Sequence, residues 1–254
     1  MQNKKKIEVI DLKKDYEKNV PVVTGVTFDV YDGEFLSILG ASGCGKTTIL
    51  RMLIGVLTPT SGQIYMDGVN ITKLSPTKRN MGIVFQNYAL FESMTVFMNV
   101  AYALKIRHDA HYSEKAMNML ERMGLTELKD KKPAELSGGQ QQRVAIARTM
   151  VLRPDVILFD EPLSALDVST RLAIRKEIKA LQTEFGVTMI YVTHDQEEAF
   201  TMSDRIMVMR DGRIEQIATP DELIEKPANE FVRQFVVDNL QQKIDALARY
   251  GRMG

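Results

Sequence analysis

The sequence predicts an α/β fold: a mostly parallel sheet with an N-terminal antiparallel β part and a helical insert. Three observations predict it. Short apolar runs of strand type recur at residues 34–40, 82–85, 156–159, 188–192 and 205–209, with helical stretches among them. That alternation is what parallel strands joined by crossover helices produce. Before residue 32 the pattern is strand followed by strand, and across 87–150 it is mostly helical.

Residues 7–12 read as a first strand, and Tyr16 follows in a polar turn region. Val22, Val23, Val26, Phe28 and Val30 suggest a partner strand with period-two character. Asp32-Gly33 is a turn into the strand 34–40, which carries Phe35, Leu36, Ile38 and Leu39. A helix is expected over 45–54, and the breaker run 58–62 ends it. Short strands at 63–66 and 69–71 flank the turn Asp67-Gly68, and the strand 82–85 ends at Gln86. Helices are expected over 96–106 and 114–123, with a short link at 125–128 and a breaker at Pro133. After the strand 156–159 come a long amphipathic helix over 169–185, a strand at 188–192, a helix at 196–202 and a strand at 205–209. Asp211-Gly212 then makes a hairpin turn to 214–217. Short helices start near Pro220 and Ala228, and 240–250 reads as an amphipathic helix with Leu240, Ile244 and Leu247 on one side. There is no internal repeat and no low-complexity segment.

A chain of 254 residues suits one large domain, or a core with a smaller insert. Its 33 basic and 33 acidic residues balance. This argues against a general binder of nucleic acid or anionic membranes. The run Lys4-Lys5-Lys6 reads as a solvated tail. A single cysteine, Cys44, allows no disulfide within the chain and points to a reducing compartment. It is read as a small residue tolerated in a tight loop rather than as a redox switch. The N-terminus is polar, with no signal-peptide pattern. No apolar stretch approaches the ~20 residues that span a bilayer, so any membrane role is expected through partners.

The segment Gly40-Ala41-Ser42-Gly43-Cys44-Gly45-Lys46-Thr47-Thr48 joins the strand 34–40 to the first helix with the spacing G-x-x-x-x-G-K-[ST]. Glycines let the backbone curl and bring its N–H groups to phosphate oxygens. Lys46 adds a point charge at the β- and γ-phosphates, and the Thr47 hydroxyl is suited to Mg²⁺. The helix presents its positive end to the same anion. Strand and helix supply the required context, so the core is read as a P-loop NTPase core that binds a nucleotide.

Two further motifs carry chemistry. Residues 156–159 form an apolar run ending in Asp160 and Glu161, as expected of a strand buried on both faces. There Asp160 is placed to hold a metal, and Glu161 to accept a proton from an attacking water. In Leu136-Ser137-Gly138-Gly139-Gln140, Ser137 is a natural N-cap with Gln140 three residues on. Two glycines at a helix start cost stability, which argues that something approaches the backbone there, and they make a second anion site.

In this order, a phosphate loop, a glutamine after a strand, LSGGQ, an apolar strand ending in Asp-Glu and a histidine after another strand resemble the ATP-binding cassette proteins. The chain is most similar in pattern to the ATPase subunit of a bacterial importer, over nearly its whole length. The resemblance implies one nucleotide-binding domain over 1–254. Its core would span 1–86 and 151–237, its helical subdomain 87–150, and a short C-terminal helix or tail 238–254. It implies ATP with Mg²⁺, held between the phosphate loop of one copy and Ser137, Gly138, Gly139 and Gln140 of a second copy. It further implies that Tyr16 stacks on adenine, that Gln86 senses the metal and the attacking water, that Asp167 contacts the other cassette, and that His194 contacts the γ-phosphate. The metal positions would be Thr47, Gln86 and Asp160; Glu161, His194 and Gln86 would serve catalysis.

The implied partners are a second copy, integral membrane permease subunits and, indirectly, a substrate-binding protein, with no nucleic acid. The location would be the cytoplasmic face of the cell membrane. Apolar residues between Asn87 and Val96, Tyr88 and Phe91 among them, are expected to form the permease groove. Several relatives carry a further regulatory β-domain, for which a chain ending at Gly254 is expected to have no room. The alternatives are a cassette ATPase outside import, such as an exporter engine, lipoprotein extractor or cell-division factor, and a non-catalytic ATP-dependent dimerisation module.

Overall fold

The computed structural model describes residues 4–17 and 20–251, with side chains as far as residue 245. In chain order the strands and helices are β1 (Lys5–Glu17), β2 (Val20–Tyr31), β3 (Phe35–Gly40), α1 (Lys46–Ile54), β4 (Ser61–Met66), β5 (Val69–Asn70), β6 (Met81–Val84), α2 (Val96–Ile106), α3 (Tyr112–Arg122), α4 (Gly138–Met150), β7 (Val156–Asp160), α5 (Val168–Phe185), β8 (Thr188–Thr193), α6 (Gln196–Met202), β9 (Arg205–Arg210), β10 (Arg213–Ala218), α7 (Pro220–Glu225), α8 (Glu230–Val232) and α9 (Asn239–Gly251). The protein is thus α/β, with an antiparallel N-terminal sheet and a mixed, mostly parallel sheet, as the sequence predicts. The chain divides into two compact units, residues 1–74 with 190–254, and residues 75–189.

In the first unit β2, β1, β4 and β5 form an antiparallel sheet in that order. Val9 faces Phe28 on one side and Ile64 on the other, and all three are buried. β1 is longer than the predicted strand and takes in Tyr16, because polar residues past Leu12 continue the pairing, Lys13 with Thr24 and Glu17 with Val20. The register shifts between Val9 and Leu12, where Asp11 takes a positive φ of 46°. The Lys4–Lys6 run is not a solvated tail. Lys6 is buried, with its ammonium 2.8 Å from Asp67, and Lys4 reaches the same carboxylate at 2.7 Å. Those cations hold the Asp67 carboxyl below its usual range.

Gly62 sits where β4 meets the β1 bulge, with φ +94° and an ideal Cβ position only 2.4 Å from the Asp11 carbonyl oxygen. An alanine there is strained twice, by conformation and by backbone overlap. Gly62→Ala is expected to cost about 1–3 kcal/mol or more and to lower the thermal midpoint by several degrees, read by calorimetry.

The same unit pairs β3 in parallel with β9, Ile38 opposite Met207, and β9 antiparallel with β10. Every residue of β3 is buried, Ser37 included, as in a parallel strand covered on both faces. Glu34, just before β3, takes a two-pronged ion pair from Arg205 at 2.6 and 3.0 Å. Leu39, Ile206 and Val208 share a core cluster with Leu223, Val232 and Val236 from the C-terminal helices, and Leu240 of α9 packs on it. Ile244 remains exposed, and Leu247 lies outside the described side chains.

In the second unit β6 and β7 pair in parallel, Gly82 opposite Ile157. A Cβ on Gly82 would stand 2.3 Å from Thr149 Cγ2 of α4, so glycine lets that helix lie on the strand. α2 and α3 pack with α4, burying Val100, Leu104, Ala116, Leu120, Val144 and Ala147.

Candidate nucleotide site

β3 delivers the chain into the phosphate loop, and α1 carries it away. Gly40 leaves no room for a side chain, since its Cβ would lie 2.6 Å from the Met209 carbonyl oxygen and 2.7 Å from Cys44 Sγ. Gly43 and Gly45 have φ of +83° and +103°, conformations that glycine adopts without strain. Gly45 is the N-cap of α1 and contributes no side-chain cap bond, so the helix opens on backbone N–H groups. Ala41, Ser42 and Gly43 are exposed. Lys46 is buried and folds back on the loop, donating to the carbonyls of Gly40 at 2.8 Å and Ala41 at 3.0 Å. From behind, the Gly212 N–H donates to the Cys44 carbonyl at 3.1 Å. The loop is therefore held by this chain's own residues, and the uncapped start of α1 has N–H donors of the kind an anion needs.

Burial pushes the Cys44 thiol up, against the opposing pull of Lys46. A raised thiol favours the protonated form and disfavours thiolate chemistry, which fits the reading of Cys44 as a packed loop residue. Thr47 is half-buried. The Thr48 hydroxyl lies 3.3 Å from the Tyr16 hydroxyl. Tyr16 is 52% exposed on β1 rather than in a turn, with the Lys14 ammonium 5.8 Å over its ring. His194 is exposed between β8 and α6, where the Asp195 carboxylate caps α6 by accepting from the Glu197 N–H at 2.8 Å.

The second unit holds the other predicted residues. Asp160 closes β7, half-buried. Glu161 follows with a positive φ of 46°, an uncommon conformation for a non-glycine residue and one that gathers at functional sites. Gln86 is exposed two residues beyond β6, and its amide donates to Ser164 Oγ at 3.1 Å. Ser164 in turn donates to the Glu161 carbonyl at 3.0 Å. The structure thus brings Gln86 and Glu161 together through Ser164, a link that sequence reasoning missed.

Ser137 is the N-cap of α4 in a reciprocal capping box. Its hydroxyl accepts from the Gln140 N–H at 3.3 Å, and the Gln140 side chain accepts from the Ser137 N–H at 3.0 Å. The hydroxyl still has its own hydrogen to donate outward. The two glycines differ. Gly138 is exposed, whereas a Cβ on Gly139 would lie 2.5 Å from Thr170 Cγ2. Gly139 therefore has a reason within the chain, close packing on α5, besides any approaching ligand. Asp167 is the N-cap of α5, accepting from Ser169 Oγ at 2.6 Å and the Thr170 N–H at 3.0 Å. These donors hold its carboxyl well below the usual range. The sequence signal was present, an Asp three residues before a Thr at a helix start.

An apolar cavity coincides only in part with the segment 87–96 expected to form the permease groove. Tyr88 is buried, not presented. The cavity, about 610 Å³, is lined by Met94 and by the outer face of α2 with Phe97, Met98, Tyr102, Lys105 and Ile106. The Phe91 ring lies 4.8 Å from that of Tyr102, one of the lining residues.

The protein-family model described as ABC transporter matches residues 23–164. The spermidine/putrescine import ATP-binding protein PotA of Bacillus cereus is 50% identical over 237 residues, covering 92% of this chain and 72% of the relative. The protein of the same name from Mannheimia succiniciproducens is 48% identical over 238 residues, covering 93% of this chain and 64% of the relative. The chain belongs to the ATP-binding cassette transporter family. It is an ABC-type ATPase of the importer type, and ATP is its substrate. Among the described residues no helix is long and apolar enough to cross a membrane.

Proposed function

We propose that this ATPase powers solute uptake through a separate membrane permease. ATP closes a head-to-tail pair of cassettes and hydrolysis reopens it. The observation that carries this reading is the pair of glycine-lined helix starts suited to an anion, one at Gly45 with a lysine and one at Ser137 without. The second lacks the charge to hold a nucleotide alone, which supports its service to the phosphates of another copy.

The reaction is in-line attack of water on the γ-phosphoryl group, in which the protein chiefly positions groups and stabilises charge. Lys46 and the loop amides 41–48 serve the phosphate oxygens, with Tyr16 against the base. Glu161 takes the proton of the attacking water, Gln86 orients that water, and His194 holds the γ-phosphate. Thr47, Gln86 and Asp160 offer a hydroxyl, an amide oxygen and a carboxylate, the hard oxygen donors that magnesium accepts alongside substrate phosphates. The ion, when bound, neutralises charge on the phosphate oxygens. Asp167 and the segment 137–140 meet the second copy.

The permease is proposed to seat in the α2 groove. Met98, Tyr102 and Ile106 are 48%, 37% and 60% exposed around it, a cluster of apolar side chains of the kind that takes a partner. With the permease bound, the chain would sit at the cytoplasmic membrane face. By likeness to the named relatives, the solutes are polyamines such as spermidine and putrescine. Met98→Asp and Ile106→Asp are expected to abolish co-purification with the permease while leaving the thermal midpoint within about 2 °C, since surface substitutions cost little. Undiminished co-purification in both variants would move the docking site elsewhere.

A further inference from the structure

Beside His194 lies a buried carboxylate that the proposed reaction does not use. Glu198, in the first turn of α6, is 4% exposed. Its Oε2 accepts from the Tyr191 hydroxyl at 2.9 Å and from Thr193 Oγ1 at 2.8 Å. Both donors are on the same face of β8 and are buried, at 0% and 2% exposure. A carboxylate in so dry a place is tolerated only when hydrogen bonds replace water.

The bonds form a closed circuit around one residue. Thr193 donates to Glu198, and its oxygen accepts from the Asp195 N–H at 2.9 Å. The Asp195 carboxylate accepts from the Glu198 N–H at 3.4 Å and from the Glu197 N–H at 2.8 Å. The circuit therefore runs 193–198–195–193, and His194 is the residue it encloses. The backbone on each side of His194 is fixed, while its side chain stays exposed. Tyr191 anchors the carboxylate to the strand, its ring 5.8 Å from that of Phe35.

We propose that Glu198 is a positioning residue for the ATPase reaction, acting through Thr193 and Asp195 to hold His194 in its working orientation. The inference rests on the proposed role of His194. A circuit of hydrogen bonds that fixes the chain on both sides of an exposed histidine costs nothing to reorganise during turnover, which is the property a phosphate-contacting group requires.

The test is ATPase kinetics of the whole chain with Glu198→Ala, Glu198→Gln, Thr193→Val and Tyr191→Phe, each alone and combined with His194→Ala. Thr193→Val keeps its shape but breaks the circuit, and serves if Glu198→Ala does not fold. Expected are falls of about five- to tenfold in kcat for Glu198→Ala and Thr193→Val, the worth of one or two hydrogen bonds expressed in the transition state. KM for ATP stays within about twofold for both. Glu198→Gln, whose amide oxygen accepts both hydroxyls, recovers most of the rate, and Tyr191→Phe loses less than Thr193→Val. In the His194→Ala background neither Glu198→Ala nor Thr193→Val lowers kcat further. Equal losses with and without His194, or a larger loss for Tyr191→Phe than for Thr193→Val, overturn the proposal and leave the role of His194 intact. Wild-type turnover in His194→Ala itself overturns both.

Discussion

Replacing Glu161 by glutamine is expected to lower ATP turnover by about 10²–10⁴, the usual worth of a general base, while ATP affinity stays within about twofold. The substitution keeps the side chain's size and removes its ability to accept the proton of the attacking water. Glu161 follows the last residue of β7 in a positive-φ conformation, and its carbonyl accepts from Ser164. The backbone around it is held by a bond that the substitution does not touch. Stability is therefore expected to be unchanged, with the thermal midpoint within about 2 °C. Steady-state phosphate release measures the first effect and equilibrium nucleotide binding the second. Turnover near the wild-type rate would remove Glu161 from the chemistry. Loss of binding and turnover together would make it a structural residue.

Replacing Lys46 by alanine acts at the opposite step. The ammonium is buried and already directed by two loop carbonyls. A charge-assisted contact to phosphate is worth about 1.5–3 kcal/mol, so ATP affinity is expected to fall by roughly 10- to 100-fold. Circular dichroism of the nucleotide-free variant separates lost binding from lost folding. The Gly40 and Ala41 carbonyls lose a donor there, which makes a modest drop in midpoint part of the expected result. Unchanged affinity in a folded variant contradicts the phosphate-loop assignment.

Most of the fold was legible because its strands are apolar runs and its turns carry Gly, Asp or Pro. β3, β7 and β8 sit where mostly apolar runs predict them. The α4 cap was legible too, since Ser137 and Gln140 have capping-box spacing and form that box. What escaped depends on partners far away in the sequence. Lys6 reads as part of a charged tail until Asp67, across a β-sheet pairing, neutralises it. The second half of β1 is polar and carries a register shift, so period-two reasoning ends it early.

In the site, the candidate residues were named from order and spacing, and the groups that support them were not legible there. Nothing local announces that Ser164 links Gln86 to Glu161, or that Gly139 is demanded by Thr170. The cavity lies mostly beyond the segment 87–96 because α2 is apolar on two faces. Val96, Val100 and Leu104 take the core, while Met98, Tyr102 and Ile106 remain exposed around the cavity. A helix apolar nearly all round was the available signal.

The central proposal, a nucleotide shared by two copies, is tested most directly by sedimentation of the Glu161→Gln variant with and without Mg·ATP. The account predicts a shift from the 28.7 kDa chain to a species of twice that mass when ATP is present, abolished by adding Lys46→Ala. A variant that binds ATP and stays monomeric at every protein concentration, alone and with its permease, contradicts it.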